Sequence, residues 1–309
     1  VSWQIDRILV AGLLVMATVL VSACASQPSP EEPDLADDQL ENTRRTARAA
    51  FDGRRYRQAA GLYQDTLNLA LARDDLDAII DARYNLAIAL LNNGEYARAL
   101  EVITQARAEL QRAGQRPGMD LLLVDATLLY RNERLDDAWV VTDSLLSLSP
   151  PVSEEVAQST WFLRGLMAQQ RADGEALVES IQQLTGARQP LARADYQELV
   201  GYQQMAERDY DAALGSFDRA SDLRSTTGDY RGMVRSLAMA GEASAAAGNN
   251  RRAADFFLRA GRSAALGGDR QARDYLRRAQ TMATAAGDTE TADEAGAFLE
   301  DLESESSQR

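Results

Sequence analysis

The chain has 309 residues, of which 33 are basic and 47 acidic, for a formal net charge of −14. It holds no histidine, no lysine and a single cysteine, which removes histidine bases, Ser-His-Asp triads, lysine Schiff bases, phosphate loops and Cys/His zinc sites. The negative balance also argues against nucleic acid, where binding rests on Lys and Arg releasing counterions, and against adhesion to anionic head groups.

In chain order, the first segment reads as targeting and not as fold. Arg7 precedes a run of 14 uncharged, mostly apolar residues, Ile8 to Val21, that ends in Val21-Ser22-Ala23-Cys24. This ending resembles a bacterial lipobox. The resemblance implies a signal peptide over 1–23, removed before the Cys24 thiol is acylated, and Ala25 in place of Asp implies export to the outer membrane. A competing reading is a retained span, since Ile8 to Ala25 is 18 residues, and Asp6 beside Arg7 weakens the basic region of a signal. Either way, Arg7 inside and Glu31, Glu32 and Asp34 beyond place the body on the outer side of the inner membrane. The stretch 24–36, with Pro28, Pro30 and Pro33, reads as a tether.

From Asp37 the pattern is helical, with hairpins expected at 37–72, 75–113, 118–149, 152–186, 189–226, 229–267 and 269–303, and a frayed tail over 304–309. Gly53, Gly94, Gly114, Gly186, Gly228, Gly248, Gly268 and Gly287 stand where helices should end with positive φ, and Pro117, Pro150 and Pro190 where they should start. The clearest unit is Asn85 to Leu110, where Ala87, Ala99 and Ala106 are small, Gly94 turns, and Tyr96 and Ile103 fill the spaces beside the small residues. Helices approach within about 8–10 Å only where side chains are small. This pattern resembles the tetratricopeptide repeat, a helical hairpin that needs neighbours to cover its apolar face. Equivalents of Ala87 fall at Ala47, Ala126, Gly165, Gly201 and Gly241, at steps of 40, 39, 39, 36 and 40 residues. The facing small residues are Ala59, Ala99, Ala138, Ala213 and Ala253, and the bulky ones Tyr63, Ile103, Thr142, Phe217 and Phe257. The hairpin around Gly165 is degenerate, with Leu177 where alanine is expected, and in the last one Gln280 takes the crossing position beside Gly296. Acidic residues such as Glu290, Asp293 and Glu294 make that last hairpin a polar cap. The fold expected is therefore an all-α solenoid of about seven antiparallel hairpins over 37–303.

In this family the first helix of each hairpin lines a concave groove. Carried onto this chain, the resemblance implies groove positions at Asp81, Tyr84, Ile88 and Leu91, then Asp120, Leu123, Tyr130 and Arg131, then Phe162, Leu166 and Gln169, then Asp195, Glu198, Tyr202 and Met205. Such a stripe, aromatic and aliphatic with acidic edges, suits basic or apolar segments of other envelope proteins. The resemblance implies a non-enzymatic adaptor with no cofactor, metal or small-molecule substrate, membrane-bound only through its lipid. The candidate jobs are recruiting peptidoglycan enzymes, helping assemble outer-membrane proteins, or serving as a pilotin. The enzymatic rival uses Glu179-Ser180, a pair resembling that of lytic transglycosylases, but the Gly165-Leu166-Met167 segment precedes it and continues into Ala168.

Overall fold

A computed structural model describes residues 35–307; the leader 1–23, Cys24 and the tether as far as residue 34 lie outside the described residues. The described residues are all-α, fourteen helices without a strand, and divide into two compact units, one ending at Asn93 and one beginning at Gly94. That boundary falls inside the hairpin expected at 75–113. The architecture is a solenoid of helical hairpins.

The first unit holds α1 (Leu35–Asp52), α2 (Tyr56–Ala72) and α3 (Leu76–Asn92), each packed on the next. Ala47, Ala59 and Tyr63 are all buried, as their spacing requires. The Asp75 carboxylate starts α3 by accepting from the Ala78 N–H at 3.1 Å. The stop after α1 differs from expectation. Gly53 lacks a positive φ, and Arg54 takes the left-handed conformation (φ 57°). The reason is the bonding: Arg54 N–H reaches Phe51 O at 2.8 Å and Arg55 N–H reaches Ala50 O at 2.9 Å, so the helix closes one residue later.

The second unit runs α4 (Tyr96–Arg112), α5 (Met119–Arg131), α6 (Leu135–Leu146), α7 (Glu154–Gln170), α8 (Gly174–Leu184), α9 (Pro190–Ala206), α10 (Tyr210–Thr227), α11 (Tyr230–Ala246), α12 (Asn250–Leu266), α13 (Ala272–Ala286) and α14 (Thr289–Ser307). Consecutive helices pack on each other, and α5, α7 and α9 also adjoin, so first helices of successive hairpins share a face. The small and bulky positions do what their sizes require. A Cβ on Gly201 would stand 2.7 Å from the Phe217 ring, and one on Gly241 2.8 Å from Phe257. Both rings are fully buried, worth about 1.5–3 kcal/mol each. In the degenerate hairpin a Cβ on Gly165 would run into Leu199 of α9, so the close approach there is to the next hairpin. In the last hairpin Gln280 is exposed and Ala279, fully buried, takes the crossing place. α14 continues to Ser307, beyond the end expected at 303.

Candidate functional site

On α9, Asp195, Glu198, Tyr202 and Met205 are spaced by three, four and three, which puts them on one face of a helix. That face is turned inward. Asp195 is 5% exposed, Glu198 not at all and Tyr202 9%, while Met205 is half-buried. Two arginines that the sequence pattern does not single out meet the carboxylates. Arg224 of α10, 2% exposed, donates from Nη2 to Asp195 Oδ1 at 2.7 Å and to Glu198 Oε2 at 2.8 Å. Its Nη1 donates to Asp229, whose other oxygen accepts from the Gly232 N–H at 3.0 Å and so caps α11. Gly232 is required there, because a Cβ would lie 2.6 Å from Arg224 Cδ. Arg235 of α11 donates Nε and Nη2 to the two oxygens of Glu198, and the Ser236 hydroxyl adds a contact at 3.3 Å. Above them the Phe162 ring of α7 faces both guanidinium carbons, at 5.3 Å from Arg224 and 5.6 Å from Arg235.

Burial sets the electrostatics. It raises Asp195 to about 7, with Arg224 opposing and Glu198 reinforcing the rise. Burial also pushes on Glu198, but Arg235 and Arg224 outweigh it and hold that carboxyl below the usual range. Tyr202 is raised by burial and by Glu198, and its ring packs edge-on against Phe217 at 5.2 Å. Glu198 is ringed by donors, Asp195 is held by Arg224, and both are closed to solvent, so this cluster is a fastening between hairpins.

The remaining groove positions are distributed differently. Tyr130 and Phe162 are half-buried on adjoining α5 and α7, with exposed Arg131 stacked 5.8 Å from the Tyr130 ring. Burial raises the Tyr130 hydroxyl, against the pull of Arg131. Leu123 is half-buried, Asp120 and Gln169 are exposed, and Leu166 is in the interior at 6%. In the first unit Tyr84, Ile88 and Leu91 line one half-buried stripe of α3, and exposed Asp81 lies 3.7 Å from Arg44 beside a cleft of about 480 Å³. Thus the acidic edge foreseen from Asp195 and Glu198 is neutralised internally. Glu179 and Ser180 do not form a pair: the first is exposed, while the second is 1% exposed with its hydroxyl donated to Ala176 O at 2.8 Å.

No family model matches the chain, and no curated protein matches it. Solved structures do. A signal transduction ATPase with numerous domains from Pyrococcus horikoshii, which carries a tetratricopeptide repeat sensor, superposes at TM-score 0.53 and 12% identity, covering 85% of this chain and 41% of that one. The fold is that of the tetratricopeptide repeats. A Rap protein complexed with competence and sporulation factor superposes at TM-score 0.57 and 12% identity, covering 85% of this chain and 78% of that one. In tetratricopeptide-repeat terms α5, α7, α9 and α11 are first helices, so Tyr130, Phe162 and Arg235 share the face on which the groove is expected.

Proposed function

We propose that this chain is a non-catalytic scaffold that holds segments of other proteins against the first-helix face of its second unit. The observation that carries the reading is the row of half-buried Tyr130 and Phe162, with Met205 beside them, all packed on one core yet only partly covered. Aromatic anchors on a rigid floor supply most of the energy in protein recognition, and the ionic fastening beneath makes the floor rigid. The Rap protein of similar fold is complexed with a factor of its own, which supports the same use of this fold. With Asp195 and Glu198 occupied by arginines, the face favours apolar segments over basic ones.

The scaffold works in the cell envelope, held by a lipid on Cys24 at the outer membrane and facing the periplasm; recruitment of peptidoglycan enzymes is the narrowest form of the reading. What supports the anchor is the Arg7, apolar run and Val-Ser-Ala-Cys order. Replacing Cys24→Ser should move the protein from the membrane to the soluble fraction and abolish incorporation of labelled palmitate; unchanged membrane retention would reject the anchor. For the face, Tyr130→Ala with Phe162→Ala should remove at least tenfold of partner capture from envelope extract at unchanged helical circular dichroism. Tyr202 stays out of that variant, since its loss opens the core against Phe217. Undiminished capture by the double variant would reject the face.

A further inference from the structure

α8 has 11 residues, whereas α12 has 17 and α10 has 18. In stacked hairpins the end of each second helix covers the first turns of the next hairpin. A helix six residues shorter than α12 lacks about 9 Å of that cover. The gap lies where α8 stops at Leu184 and the chain crosses to Pro190, between the start of α9 and the end of α10. It is a cleft of about 480 Å³, a size suited to a small molecule.

Leu184, Tyr196 and Leu223 give the cleft apolar walls. Its cations are among the arginines of the unit that hold no carboxylate. Arg164, Arg171, Arg224, Arg235, Arg262 and Arg278 each hold a carboxylate. The Arg193 guanidinium, on the cleft wall, makes no ion pair or hydrogen bond among the described residues. Arg219, also on the wall, reaches only neutral oxygens, Gln197 Oε1 and Ser216 Oγ, both at 3.0 Å. Asp222 lines the cleft too, so the walls carry two positive charges and one negative. That balance favours one carboxylate over a polyanion, and Arg presents paired donors that match a carboxylate.

We propose that this cleft binds a small monocarboxylic acid with an apolar body, its carboxylate on Arg193 and Arg219 and its body against Leu184, Tyr196 and Leu223. The site is separate from the first-helix face and stands whether or not that face binds protein.

Octanoate is the probe, followed by saturation-transfer NMR and calorimetry on the full chain. Octanoate should bind, octanol and inorganic phosphate should bind at least tenfold more weakly, and Arg193→Met with Arg219→Met should lower octanoate affinity at least tenfold. Circular dichroism and Tm of that variant should stay unchanged, and Tyr130→Ala with Phe162→Ala should bind octanoate as the parent does. Equal binding of octanol, undiminished binding by the arginine variant, or no octanoate binding at millimolar concentration would overturn the proposal. So would binding of acetyl-Leu-Leu free acid in the absence of octanoate binding, which would assign the cleft to a polypeptide end.

Discussion

The hairpins from α9 to α12 and those from α5 to α8 follow one small-and-bulky pattern and use it differently. The first set has helices of 17, 18, 17 and 17 residues, glycines closed onto Phe217 and Phe257, and charge locked inside around Arg224. The second has helices of 13, 12, 17 and 11 residues, with Thr142 at the bulky position. It buries charge only singly, Asp125 and Arg164 each being paired with an exposed partner, Arg107 and Asp143, while Arg164 stands 4.1 Å and Arg171 5.0 Å from the Trp139 ring. Full-length helices cover one another closely enough to bury both members of an ion pair; shortened ones leave edges and clefts. Fixed structure and accessible surface are thus divided between neighbouring hairpins of one array.

Removing the central cation should break the contrast most severely. Arg224→Met strands Asp195 and leaves Glu198 with Arg235 alone, and urea denaturation at pH 7 should show a loss of about 3–5 kcal/mol. A loss below 1 kcal/mol would mean that the cluster fastens nothing. Its pH response sharpens the point. Asp195 titrates near about 7 when folded, against roughly 3.9 unfolded, so between those values the folded chain holds the extra proton. Stability from this group is therefore full below pH 4 and falls as pH rises through 7, with a slope of at most about 1.4 kcal/mol per pH unit. Glu198, held low, acts in the opposite sense, its contribution being lost as pH falls through its folded value. Asp195→Asn should flatten the pH 4–7 slope and leave the acid limb in place; a slope that survives assigns it to other groups.

Gly241→Ala should cost about 1–3 kcal/mol by forcing a methyl into the Phe257 ring. Gly61→Ala, in open space on α2, should instead stabilise by about 0.5–1 kcal/mol. Equal effects in thermal melts would refute the size argument. Smallest of all, Glu294→Ala removes a half-exposed pair with Arg262 and should cost under about 1 kcal/mol, vanishing in high salt.

The close approaches were legible because residue size repeats along the chain: Gly201 with Phe217 and Gly241 with Phe257 can be paired by spacing alone. The turns were legible wherever glycine held the left-handed place, and misread at Gly53 because Arg54 accepts that conformation. The ionic cluster was not legible. Asp195 and Glu198 read as an acidic rim, since a charged residue in a helix ordinarily faces water, and nothing local in the sequence ties them to Arg224, which is 26 residues beyond Glu198. Tyr202 read as a groove aromatic because periodicity assigns a face without saying how deeply the next helix covers it. The shortness of α8 left only Leu177 in place of alanine as a trace.

Native-state hydrogen exchange across the second unit tests the division most directly. The amides of α9 to α12, those of Glu198 and Arg224 above all, should exchange only with global unfolding, while α6 and α8 open at least tenfold more often. Equal protection of α8 and α10, or faster exchange around Arg224, would contradict the account.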